Sequence, residues 1–215
     1  MAHNLPKIIS TADLTASEAR WIALKKAKYL DQDGIERSWE YAERKTRAKT
    51  TGVDAVAVFA VIRSKTNAFP TSTIVIEQYR PPIGKFIIGE FFAYLQLIGL
   101  VDEGETIETT AIRELHEETG FRADKVLQIS PVIVSDPGMS NANMQLAVLS
   151  VTLEDKMETP KPQLEAGEHI VTRVVELSKL QEALDGKLYY DREGFVVDAR
   201  LSHFVSGYTL AHQLK

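Results

Sequence analysis

The sequence predicts an α/β fold set behind a small antiparallel β unit. Three observations carry this. Two runs rich in β-branched and apolar residues, Val53 to Arg63 and Thr73 to Tyr79, read as core strands. Between Thr106 and Thr119, Ile107, Ala111 and Leu115 recur at helical spacing, as on one buried helix face. Ahead of both, Asp31-Gln-Asp-Gly34 separates two strand-like segments, and an Asp-Gly pair there is a hairpin signal. The 215 residues allow one domain with a substantial appendage, and the change of pattern divides the chain into 1–50 and 51–215.

Composition removes several function classes. A net charge of −5 argues against a dedicated nucleic-acid or anionic-membrane binder, which needs a basic surface. With no cysteine there is no disulfide and no thiolate metal site, so any metal must be held by oxygen or imidazole. The opening MAHNLPKIIS lacks the apolar core of a signal peptide. The longest apolar stretch, Phe86 to Val101, is 16 residues, too short for a membrane span, and it carries Glu90 and Gln96. These features lead us to expect a cytoplasmic protein, with a nuclear location as the alternative.

Taken in order, Arg20 to Tyr29 and Ile35 to Arg44 form the strands of the N-terminal unit. A unit this small buries little alone and must pack on the remainder or on a second copy. The charged stretch ERKTRAKT, 43–50, reads as linker or exposed strand, with plain solvated surface the favoured reading. After the strands at 53–63 and 73–79 comes Gln78-Tyr-Arg-Pro-Pro-Ile-Gly84, whose two prolines stiffen the backbone that aims Arg80. The helix of 106–119 stops at Gly120, the residue that takes a left-handed cap at no cost. Val126 to Ser135 and Met144 to Leu153 are further strands, with a turn-forming Asp136-Pro-Gly138 between them. The polar, proline-bearing stretch 154–168 reads as a long loop of the kind that often serves as a lid. His169 to Leu177 is a strand, Ser178 caps a short helix ending at Gly186, and Asp198 to Leu214 is a closing helix with Ala199, Phe204, Tyr208 and Leu210 as its apolar positions. His203 and His212 read as structural or surface residues.

The chemistry concentrates in GLVDEGETIETTAIRELHEETGF, 99–121. Glu114, Glu117 and Glu118 fall at i, i+3 and i+4, on one face of the helix, where like charges repel. A hard divalent cation relieves that repulsion, and Mg²⁺ is the usual one where phosphate shares the coordination. Gly99, five residues, Glu105, seven residues, then Arg113-Glu-Leu-x-Glu-Glu-x-Gly-Phe121 matches the Nudix box at every position. At average residue usage such a match arises by chance about once in 10⁹ start points.

The chain therefore resembles the Nudix hydrolases, and QYRPP and Asp136-Pro-Gly-Met-Ser-Asn141 resemble segments of their ADP-ribose pyrophosphatase branch, as does Pro137, 16 residues past Phe121. The resemblance implies an α/β/α Nudix sandwich with a mixed sheet, plus the N-terminal antiparallel β unit. It implies Glu114, Glu117 and Glu118 as ligands of Mg²⁺, with Mn²⁺ as a substitute, and Arg113 with Glu105 as the charged pair bracing them. Glu117 and Glu118 would thereby take part in catalysis. Glu168, with Glu165 as competitor, would position or deprotonate the attacking water. Arg80, and more weakly Arg44, would contact the diphosphate, and Asp136 and Ser140 would lie in a loop facing ribose or phosphate. Trp21 and Trp39, the two tryptophans of the chain, would clamp adenine in a homodimer that exchanges its N-terminal sheets. The implied reaction is Mg²⁺-dependent hydrolysis of ADP-ribose, or a related ADP-sugar, to AMP and the sugar phosphate.

One segment departs from the family pattern. Glu90-Phe-Phe-Ala93 stands where EFPA is expected, and Gly89 with Tyr94 to Ile98 adds six residues before Gly99. Ile98 then occupies the position whose carbonyl would face a metal. This gives two rival readings: a Nudix-fold nucleotide-binding isoform impaired by the 89–98 segment, and a pyrophosphatase for another nucleoside diphosphate sugar.

Overall fold

The computed structural model describes residues 5–90, 104–164, 166–185 and 194–214, with the side chain of Glu90 outside that set. The N-terminal hairpin forms as its Asp-Gly turn requires. Strand β1 (Ile22–Leu30) pairs antiparallel with β2 (Glu36–Arg44), and Gly34 closes the turn at φ 74°. Asp31 Oδ1 accepts from the backbone N–H groups of Asp33 and Ile35, so the aspartate side chain braces the turn it initiates.

The second sheet is mixed. Its strands run in the order β10 (Phe195–Val197), β5 (Lys85–Glu90), β4 (Ser72–Arg80), β3 (Ala55–Ser64), β8 (Asn143–Leu153), β6 (Lys125–Ile129); β7 (Ile133–Val134) also pairs with β8, and β9 (Ile170–Glu176) with β4. β3 is parallel to β8 over its whole length and buried at every position except Arg63, because both of its faces are covered. Val56, Val58, Ala60 and Ile62 face α1 (Ile107–Thr119), where they meet Ala111, Leu115 and Phe121. On the opposite face, Phe59 packs on Phe204 of α3 (Ala199–Gln213) at 4.6 Å between ring centres. There α2 (Leu180–Asp185) and α3 bury Leu180, Leu184, Leu201 and Val205 against Val75 and Ile88. Helix, sheet and helix form three layers, which is the expected α/β/α sandwich.

Several element readings change. The strand expected over 126–135 is two short ones, β6 and β7, separated at Ser130-Pro131; proline has no N–H to give a ladder, and Ser130 bonds across to Leu146 instead. Ser178 does not cap a helix but lies inside a 3₁₀ turn, Leu177–Lys179, that leads into α2. The core positions of α3 are Leu201 and Val205, while Leu210 is exposed, because the helix meets the sheet with its first two turns. The short β10, parallel to β5, was not foreseen; three residues are too few to show a period. Stretch 43–50 is not simply solvated, since Arg47 is tied to the buried Asp54. The expected short helix is present as α2, while its expected end at Gly186 and most of the 89–98 departure fall outside the described residues; of the latter, β5 carries the backbone as far as Glu90. Among the described residues no helix is long and apolar enough to cross a membrane.

Candidate active site

Helix α1 begins and ends on its sequence signals. Thr106 caps it by accepting from the Thr109 N–H, and Gly120 closes it in the left-handed region at φ 78°. Packing Ala111 and Leu115 on β3 and β8 turns the next ridge of the helix inward along its edge. As a result Glu114 and Glu118 are only 3% and 8% exposed, far less than carboxylates usually are.

Arg113 organises the ridge. Its guanidinium grips both oxygens of Glu105, with Nε donating at 3.1 Å and Nη2 at 3.0 Å, and Nη1 donates to Glu114 at 2.8 Å and Glu117 at 3.0 Å. A planar fork of donors suits this bridging role better than an ammonium would. The Glu105 hydrogen bonds keep Arg113 firmly charged.

The two inner carboxyls are held far above the usual range. Burial raises Glu114 to about 7; Arg113 opposes this, and Glu117 and Glu168 reinforce it. Glu118 is pushed to about 9 by burial, then by the negative Glu114 and Glu168, with Arg80 pulling the other way. These influences place Glu168 and Arg80 beside the helix ridge. The sheet explains how: Ile170 of β9 pairs with Gln78 of β4, and extending that register two positions brings Glu168 level with Arg80. Thr172 of β9 also donates to the Glu118 carbonyl.

The loop 154–168 is anchored in its middle. Gln163 N–H donates to the Glu117 carbonyl at 2.6 Å, and its side chain reaches His116. At Gly120 an added Cβ would lie 2.7 Å from the Lys161 carbonyl oxygen and from Pro160, so the helix cap is also the loop's seat. Glu168 follows this anchor, with Gly167 at φ 94° just before it. Glu165, the competitor, lies outside the described residues.

Whether a cation suits the site is answered by its donors. Glu118 Oε2 is buried and has no hydrogen-bond partner among the described residues, which is costly for a carboxylate. The candidate ligands, Glu114, Glu117 and Glu118, offer only oxygen, the chemistry Mg²⁺ requires. Among the described residues no three acidic or histidine side chains already converge as a closed metal cage, since Arg113 engages both Glu114 and Glu117. Oxygen-only side chains with one unsatisfied buried carboxylate oxygen among the described residues fit a divalent cation in chemistry.

The other expected residues fall into a second group. Trp39 on β2 is 51% exposed, and Trp21, just before β1, is 48% exposed, so neither is a core residue. Trp39 Nε1 donates to the Gly138 carbonyl at 2.9 Å, which brings it to the turn bearing Asp136 and Ser140. Trp21 lies elsewhere: it is opposite Lys45, whereas Trp39 is opposite Ala27. The two therefore share a face of the hairpin but stand six positions apart, about 20 Å. One chain does not bring them together. Arg44 ends β2 opposite Ile22, next to Trp21. Because β4 runs antiparallel to β3, Arg80 points toward the end of the sheet where β3 and β8 begin, the end that carries Asp54, Asn143 and the 136–141 turn. Sequence reading missed Arg47 and Asp54. The available signal was a carboxylate in the apolar run VDAVAVFAVIR, which needs a buried partner.

Comparison with known proteins agrees with this architecture. The model of the NUDIX domain matches residues 53–195. An uncharacterized Nudix hydrolase of Schizosaccharomyces pombe is 38% identical over 94% of this chain and 92% of its own. The ADP-ribose pyrophosphatase of Saccharomyces cerevisiae is 34% identical, covering 92% of this chain and 80% of its own, and the mouse ADP-sugar pyrophosphatase 33%, covering 80% and 74%. A solved ADP compounds hydrolase has the same fold, with a TM-score of 0.59 at 18% identity over 99% of this chain and 98% of its own. With the box helix, the three-layer sandwich and relatives matched over most of the chain in agreement, the chain is an enzyme of the Nudix hydrolase family.

Proposed function

We propose that the chain hydrolyses the diphosphate bond of ADP-ribose and related ADP-sugars, giving AMP and a sugar phosphate, with Mg²⁺ as the natural cofactor and Mn²⁺ as a substitute. The observation that carries this is the carboxylate ridge with Glu114 and Glu118 buried, where Glu118 Oε2, beside Arg80 and Glu168, has no hydrogen-bond partner among the described residues. Relatives matched over most of their length that bear the ADP-ribose and ADP-sugar pyrophosphatase names support the substrate class.

Glu114, Glu117 and Glu118 would hold the cation, which supplies charge neutralisation for the diphosphate and lowers the pKa of bound water. Arg113 keeps the ridge ordered while Arg80 binds diphosphate oxygens through its fork. Glu168 is the base: it takes the proton as water oxygen bonds to phosphorus and the bridging P–O bond breaks. The anchor at Gln163 confines that carboxylate to the short segment before β9. Trp39 would stack on adenine, with Asp136 and Ser140 facing the ribose or phosphates and Arg44 a further phosphate contact. The unit 1–50 then serves nucleotide binding and dimerisation, and 51–215 the chemistry. Since Trp21 and Trp39 stand apart on one hairpin, an adenine clamp requires one tryptophan from each of two copies.

The test is AMP release from ADP-ribose with Mg²⁺, in the wild type and in Glu117→Gln. We expect turnover in the first and its loss in the second with unchanged circular dichroism. An active Glu117→Gln would remove that residue from the ligand set.

A further inference from the structure

Asp54, 1% exposed, immediately precedes β3, and its buried carboxylate must be met inside the protein. Arg47 meets it with two bonds, Nε to Oδ1 at 3.0 Å and Nη2 to Oδ2 at 2.7 Å. The same Nη2 also donates to the Asn141 carbonyl at 2.6 Å and reaches Asn141 Oδ1 at 3.2 Å. Asn143 completes the cluster: its N–H donates to Asp54 Oδ2, and its side chain bridges the Asp54 N–H and the Gly52 carbonyl. A buried ion pair of this kind adds little stability compared with apolar packing, so what it holds in place is the more informative question.

It holds the turn at 138–141, and that turn holds β2. Four hydrogen bonds join them: Trp39 Nε1 to the Gly138 carbonyl, Ala42 N–H to the Met139 carbonyl, Asn141 N–H to the Ala42 carbonyl, and Asn141 Nδ2 to Glu43 Oε2. The hairpin is otherwise mostly exposed on both strands. The orientation of the Trp39 indole thus depends on a carbonyl whose turn is fixed from behind by Arg47. A lysine at 47 keeps the charge opposite Asp54, but it has no fork with which to grip both carboxylate oxygens and the Asn141 carbonyl together.

We infer that Arg47 is a positioning residue for the nucleoside half of the substrate, acting through Asp54 and Asn141 to set Trp39 against the Asp136–Ser140 turn. This rests on the proposed ADP-ribose reading. It places an effect on substrate affinity in a side chain that lies outside the box and is engaged by Asp54 and Asn141.

Arg47→Lys and Asn141→Ala are compared with the wild type in steady-state ADP-ribose hydrolysis with Mg²⁺, in AMP binding by calorimetry and in Mn²⁺ binding. For Arg47→Lys the expected result is a KM raised about tenfold with kcat within about twofold. AMP binding should weaken in parallel while Mn²⁺ affinity stays unchanged, because the carboxylate ridge is untouched. Asn141→Ala keeps the carbonyl and loses the side-chain bonds, so its KM should rise about threefold. A pair that merely stabilised the fold would lower apparent kcat through fewer folded molecules and leave KM alone; that outcome overturns the inference. Should Arg47→Lys fail to fold, Asn141→Ala decides by the same criterion. Active wild type with unchanged KM in the folded variants overturns this inference only. Wild type that neither cleaves ADP-ribose nor binds AMP overturns the underlying reading, and this inference with it.

Discussion

Glu118 carries the sharpest conflict between folding and chemistry. Its carboxylate is buried, one oxygen lacks a partner among the described residues, and its proton is held to about 9. Glu118→Gln removes that charge at constant shape. In metal-free protein at pH 9 the substitution should stabilise the fold by about 1–3 kcal/mol, and below pH 5, where the carboxyl is already neutral, the gain should vanish. Thermal unfolding with a chelator at the two pH values checks this, and turnover should be lost throughout. The identity of such residues was legible in the sequence because the box fixes their spacing. Their burial was not, since it depends on how α1 lies on β3 and β8. Arg47 shows the reverse: its charge was plain, but its partner Asp54 is set by a chain reversal that no local pattern reports.

Elements were legible where period and punctuation agree. The box helix, the Asp-Gly hairpin and the apolar strands β3 and β4 lie within a residue or two of their sequence signals. Elements were lost where a strand is short or a backbone bond is diverted, as in β10 and at the Ser130-Pro131 break. The stretch 154–168 had a loop's composition, yet its middle is seated on the end of α1. Gly120→Ala should therefore do two kinds of harm: it strains a left-handed position and drives a methyl into Pro160 and Lys161. We expect a loss of about 1–3 kcal/mol, read as a lower Tm, together with faster proteolytic cleavage between 154 and 164. An Arg63→Ala control, on an exposed position of β3, should change neither reading.

At the scale of the molecule, the carboxylate ridge links stability to pH and to cations. Glu114 and Glu118 bind protons more tightly in the folded chain than at their ordinary 4.5, by burial in both cases. Across the window from about 4.5 to 9 the folded state holds the more protons, so stability of metal-free protein falls as pH rises. The fall should be steeper below about 7, where both groups contribute, than between 7 and 9, where Glu118 alone does. A cation bound only by the folded state opposes it, by about 2.7 kcal/mol at a hundred times its Kd. Calorimetric Tm at pH 5, 7 and 9, with chelator and with Mg²⁺, should show the greatest Mg²⁺ gain at pH 9.

The spacing of the two indoles has a further consequence for the working protein. Under the proposed adenine clamp, a solitary chain would offer each base a single stacking wall, and the second would come from another molecule. Progressive dilution should therefore raise KM before it touches kcat, and a tethered tandem of two chains should be immune to that loss.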